Sequence, residues 1–210
     1  MKRKIGIALI AAGTALVVAA LSLYAFQLWK EKEAGDAADD ALLQVKAEIG
    51  AVENNDTDRD AGTDAEMASE AETEELPVVT VDGWDYIGYL SVPSLGLELP
   101  VMSEWSYEGL DIAPGRFSGS LATNNLVIAG HNYRRHFSSL KSLSAGDLIV
   151  FTDMAGNAYY YEVSRLETLQ PAQVEEMEGL VGDDDWDMTL FTCTSGGTAR
   201  CAIRCILSGV

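Results

Sequence analysis

Few positive charges, two histidines and three cysteines limit what this 210-residue chain can do. It has 14 Lys and Arg against 33 Asp and Glu, a formal charge of -19. Nucleic-acid binding is excluded on that ground, because phosphates are held by clustered Lys and Arg. Two His leave little room for a His-rich metal site, and no metal or other cofactor is expected. Three Cys are too few for a disulfide scaffold and cannot all pair with one another. The length allows one domain with appendages.

These shortages are not spread evenly. Ile5 to Trp29 contain no charge at all. As a helix these residues reach about 37 Å, enough to cross a hydrocarbon core of about 30 Å. Lys2, Arg3 and Lys4 precede the run and Lys30 alone follows before acids take over. The expectation for residues 1–30 is therefore a cytoplasmic stub and an uncleaved single-pass anchor, with everything after Trp29 outside the cell. A cleaved signal peptide ending near Val18-Ala19-Ala20 is the competing reading, but apolar residues continue too far beyond it.

Residues 31–76 lack aromatics and carry 16 Asp and Glu against 3 Lys and Arg. Such a segment buries too little apolar surface to offset chain entropy, so an acidic, largely disordered stalk is expected. Within it, Ala41–Val52 can form a short amphipathic helix with Leu42, Val45 and Ile49 near one face.

Residues 77–210 change character again. Short apolar or alternating runs are separated by turn residues: 86–92, 98–102, 125–129, 147–151, 158–168, 188–193 and 200–207. Asp153–Asn157 reads as a hairpin turn. Helical signals are confined to a turn after His136 and to 171–180, where Pro171 suits a first helical position. Seven or more strands in one domain indicate an all-β barrel or sandwich.

The chemistry-bearing residues cluster at strand ends. Cys193 ends the run Thr189-Leu-Phe-Thr-Cys193 and opens into a glycine-containing loop, which can present its sulfur to solvent. Cys201 and Cys205 lie inside the next strand, about 13 Å apart when extended, so they cannot pair with each other. A thiol needs a proton acceptor or a cationic neighbour. His131 follows Leu126-Val-Ile-Ala-Gly130 at another strand end, whereas His136, in Arg134-Arg135-His136-Phe137, reads as a surface turn. Arg200 and Arg204 fall on the same face of the last strand, and an arginine there suits a carbonyl oxygen gaining negative charge.

The strings NNLVIAGHNYRRHF and TLFTCTSGGTARCAIRC closely resemble the His-strand and Cys-strand motifs of sortases, the cysteine transpeptidases of Gram-positive surfaces. The stretch Tyr86–Val101 resembles that family's first two strands. The resemblance implies an eight-stranded, sortase-like β-barrel with short helices over 77–210, preceded by the transmembrane helix. It implies Cys193 as nucleophile, His131 as general acid/base and Arg200 as the third member, with Arg204 as the alternative. Thr192 either lines the substrate groove or is a plain strand residue.

The implied reaction cleaves an LPxTG-like sorting signal through a thioester and passes the protein to an amine of a peptidoglycan precursor or a pilin. The spacing from Cys193 to Arg200 is class B-like, although 167–186 has room for only a short helix. Asp183–Asp185 reads as a solvated turn rather than a calcium site. A secreted cysteine hydrolase and a non-catalytic surface-binding barrel remain the alternatives.

Overall fold

The uncharged N-terminal run opens a single helix, α1 (Lys2–Asp56), in the computed structural model, which describes residues 2–56, 76–178 and 186–210. Its first part stands clear of the rest of the chain, with Leu9, Leu16, Leu23 and Trp29 exposed. By length and composition it can cross a membrane.

The second part corrects the expectation of a disordered stalk over 31–76. Residues 31–56 continue the helix, and Ala34, Ala38, Ala41, Val45 and Ile49 are buried. Steps of three and four residues put these five on one face, which packs on the first strands of the barrel. Val45 and Ile49 alone contribute roughly 1.5–3 kcal/mol each over leaving them exposed. Leu42, expected on the same face, is half-buried. Asp36, Asp39, Asp40 and Glu48 are exposed, and ion pairs hold the helix down. Asp36 pairs with Arg135 at 2.6 Å, Asp39 also pairs with Arg135, and Lys46 reaches Glu98 at 2.8 Å. The rest of the expected stalk, 57–75, and Asp183–Asp185 lie outside the described residues.

The strands are β1 (Val79–Val81), β2 (Trp84–Val92), β3 (Leu97–Met102), β4 (Gly115–Ser118), β5 (Leu126–Ala129), β6 (Leu148–Asp153), β7 (Ala158–Leu169), β8 (Met188–Cys193) and β9 (Arg200–Gly209). Eight of them close a barrel in the order β2-β3-β4-β5-β8-β9-β7-β6, with β6 pairing back to β2 from Gly88↔Asp153 to Ser91↔Val150. The short β1 lies outside that ring, paired with the start of β2. Closure brings the backbones so near that a Cβ on Gly88 would stand 2.0 Å from the Thr152 carbonyl oxygen, and φ there is +147°. Only glycine fits.

All seven apolar runs form strands. β1 and β4 were not anticipated, since neither Val-Thr-Val nor Gly-Arg-Phe-Ser is a long apolar run. The Asp153–Asn157 hairpin turns as expected, its Asp153 carboxylate accepting from the Ala155 and Asn157 amides at 2.9 Å each. Among the described residues of the barrel domain helix is scarce: α2 (Tyr107–Leu110), α3 (Val174–Met177), and short 3-10 turns including Phe137–Ser142. Leu90, Leu126, Ile128, Phe151, Leu190 and Ile203 fill the core. Because β5 and β8 run parallel and adjacent, their C-terminal ends emerge at one rim.

Candidate active site

Two parallel strands and one hairpin assemble the site. Ala129 of β5 lies opposite Phe191 of β8, and the Gly130 amide donates to the Phe191 carbonyl at 3.0 Å. His131 and Cys193 each follow that pair by two residues, so they come out together at the rim. β9 then runs back against β8 with Arg200 opposite Cys193. The intervening turn is tied by the Thr194 amide to the Ala199 carbonyl at 2.9 Å. His131, Thr192, Cys193 and Arg200 all line one cavity of about 220 Å³. A larger hollow of about 420 Å³ beside Asp153 and Leu76 holds none of them.

One wall of the cavity is aromatic. Trp105 and Phe117 have ring centroids 5.4 Å apart, and Phe117 meets Phe191 edge-on at 5.2 Å. Pro171, Val174 and Met177 add apolar surface from α3 and its approach. Such a lining suits apolar groups, with His131 and Arg200 as the polar side chains beside them. The Thr192 hydroxyl is buried and has no hydrogen-bond partner among the described residues.

Gly130 is fixed by packing. A Cβ there would stand 2.5 Å from the ring of Phe137, itself fully buried. Gly130→Ala is expected to cost about 1–3 kcal/mol of stability through overpacking. It should also lower turnover by displacing His131, which urea unfolding and a peptide-cleavage assay would report together.

His131 is half-buried, and burial pushes its imidazole below the ordinary histidine range. Asp111, with Oδ1 3.6 Å from Nε2, works in the opposite direction. Burial also works against the Asp111 charge. The Lys30 ammonium and the Tyr133 hydroxyl outweigh it and hold that carboxyl below the usual range. Asp111 lies in no motif, and Tyr133 lies within the His-strand string without a role assigned to it there. Asp111 merely follows α2, and its meeting with His131 is a product of tertiary structure.

His136 is not on a surface turn. It is fully buried, because α1 covers it from about a hundred residues upstream, and its Nε2 lies 3.3 Å from the Ala34 carbonyl. Burial lowers its pKa to about 4, and Nδ1 has no partner among the described residues. An unfolded histidine titrates near pH 6.5, so below that pH the unfolded chain binds the extra proton. Stability from the neutral ring is complete above about pH 6.5 and is lost as pH falls toward 4, on the order of 3 kcal/mol in all. Urea unfolding at about pH 7 and about pH 4.5 should show a larger acid loss in the wild type than in His136→Gln. Equal losses would assign the acid sensitivity elsewhere.

The two arginines separate cleanly. Arg200 reaches the cavity, its guanidinium donating to the Gly197 and Ala199 carbonyls at 3.3 Å. Arg204 is fully buried and donates to Glu167 at 3.1 Å, to the Thr189 hydroxyl at 2.8 Å and to the Met177 carbonyl at 3.1 Å. Cys201 and Cys205 are buried free thiols whose pKa burial pushes up. Cys193 is also free, and it is the only cysteine not buried.

A closed barrel that gathers a free thiol, an imidazole and a guanidinium in one apolar-walled cavity has the makings of a thiol-dependent acyl transferase. The sortase-domain family model matches residues 90–208, and the chain belongs to the sortase family, which comprises cysteine transpeptidases. Sortase A of Bacillus anthracis is 31% identical over 137 residues, 63% of each chain, so this chain spans less than two thirds of that relative. Among solved structures, sortase C1 of Streptococcus suis is 25% identical with a TM-score of 0.52, over 60% of this chain and 74% of that one. The sortase D5 transpeptidase of Clostridium perfringens shares the fold at 21% identity and TM-score 0.60, over 83% of this chain and 99% of that one. These three relatives carry class A, C and D names, so the class B-like expectation finds no support in them.

Proposed function

We propose that this chain is a membrane-anchored cysteine transpeptidase acting on an LPxTG-like sorting signal outside the cell. The observation that carries the reading is the single cavity shared by Cys193, His131 and Arg200. The Cys193 sulfur attacks the threonine carbonyl of the signal, its proton passing to His131. His131 gives a proton to the departing glycine amine, and a thioester remains. Arg200 donates to the carbonyl oxygen as it gains negative charge. An acceptor amine from a peptidoglycan precursor or a pilin then attacks the thioester, His131 takes its proton, and the thiol is released. Thr192 lines the groove beside the nucleophile.

Residues 1–30 serve as stub and anchor, the docked part of α1 joins anchor to barrel, and 77–210 form the catalytic domain. Lys2, Arg3 and Lys4 favour a cytoplasmic N-terminus. The exposed apolar side chains of early α1 need a cover, which lipid would supply.

The test is a panel of LPxTG-like peptides incubated with the full chain in detergent, with and without a glycine- or lysine-based amine. Mass spectrometry should find the new amide only when amine is present, together with a thioester-linked intermediate. Free acid alone in both conditions would make the protein a cysteine hydrolase. No product, with Cys193 inert to thiol reagents, would make it a binding barrel.

A further inference from the structure

β5 delivers His131 to the rim, but the groups that hold its ring come from its own loop and from two other places. Oδ1 of Asp111, just past α2, lies 3.6 Å from His131 Nε2 and accepts a hydrogen bond from the Tyr133 hydroxyl at 3.0 Å. The Tyr133 ring stacks beside His131 with centroids 4.6 Å apart and planes at 34°. Oδ2 of the same carboxylate accepts from Lys30 Nζ at 3.1 Å. Lys30 follows Trp29 directly, so it is the first charge after the uncharged run of α1. Both oxygens of Asp111 are thus engaged, and the contacts join the anchor helix to the imidazole.

We infer that Asp111 is the positioning residue of His131, holding Nε2 so that Nδ1 exchanges the proton with the thiol and the leaving amine, and that Lys30 makes the membrane-proximal turn of α1 part of this device. The inference rests on His131 being the acid/base of the proposed reaction. A carboxylate beside one ring nitrogen selects the tautomer with its hydrogen there and favours the imidazolium formed during transfer. Lys30 has two effects: it fixes the carboxylate, and its charge opposes that of the protonated ring. The charged and titratable groups around His131 are Lys30 of α1, Asp111, Tyr133 and His136 of its own loop, Cys193 of β8 and Arg200 of β9, with Glu31 of α1 acting on Tyr133.

The two roles carry opposite signs, which makes the test specific. The full chain in detergent has only two histidines, so isotope-labelled imidazole signals can be assigned with His136→Gln and titrated by NMR. Asp111→Asn should lower the His131 pKa and Lys30→Met should raise it. In the peptide assay Asp111→Asn should lose about tenfold in kcat with little change in KM, part of the ~10²–10⁴ that a positioned acid/base supplies. Asp111→Glu, which keeps the charge, should recover most of both. A His131 pKa unmoved or raised in Asp111→Asn overturns the inference, and one unmoved in Lys30→Met removes Lys30 from it. If the wild type turns over no peptide, the proposed function fails, while the titration still decides whether Asp111 governs His131.

Discussion

Replacing Cys193 with alanine should abolish peptide cleavage and thioester formation, a loss of at least about 10³-fold, with the barrel intact. The size follows from where the three thiols stand. Cys193 sits at the end of β8, where strand pairing with Arg200 fixes the backbone while the sulfur faces the cavity. Cys201 and Cys205 are buried inside β9, and burial raises the cost of forming either thiolate. A thiolate is the attacking species, so neither can substitute. A small alkylating reagent should label one thiol in the folded protein, and that label should vanish in Cys193→Ala. Wild-type turnover in that variant would remove Cys193 from the mechanism. Labelling of Cys201 or Cys205 at a comparable rate would mean that β9 opens far more readily than its packing implies.

What the sequence made legible follows the range of the interactions involved. Strand β8 was readable to its ends because Met188–Cys193 is apolar and closed by a glycine-containing loop. His131 was readable for the same local reason, and the sortase motifs joined the two. β4 was not, because Gly115–Ser118 is short and presents only one buried residue. The stalk was misjudged because composition sums over all faces of a helix. Thirteen net negative charges in 31–76 concealed five small or branched apolar residues on a single face of α1.

His136 was misplaced by the same omission, since its cover is that face of α1. Its sequence neighbours Arg134 and Arg135 look like surface, and Arg135 indeed turns outward to Asp36 and Asp39. Asp111 was invisible for a related reason: its partners Lys30 and Tyr133 lie 81 and 22 residues away in sequence. Local pattern picked out Cys193 and His131 as the candidates that meet in one cavity, while their surroundings depended on where α1 docks.

Arg200 and Arg204 should show opposite profiles, although the strand period puts them on the same face. Arg200→Ala is expected to lose about 10²–10³-fold in kcat, as when one donor to a developing oxyanion is removed. Its stability should stay within about 0.5 kcal/mol, since the side chain is not buried and, among the described residues, donates to carbonyls of its own turn. Arg204→Ala should cost about 3–5 kcal/mol, because losing the buried guanidinium removes the donor to the Thr189 hydroxyl and to the α3 carbonyls of Glu176 and Met177, and leaves Glu167 with Arg165 alone. Trp186, whose ring lies 4.1 Å from that guanidinium, would lose its stacking partner as well. Loosening α3 moves Met177, which lines the cavity, so any loss of activity in Arg204→Ala should appear mainly in KM. Urea unfolding and steady-state kinetics on the two variants separate the roles. If Arg204→Ala keeps full stability but loses kcat, the catalytic arginine is the buried one and the assignment of Arg200 falls. If Arg200→Lys retains most of the rate, positive charge alone suffices at that position, and the planar donor array is not what the oxyanion requires.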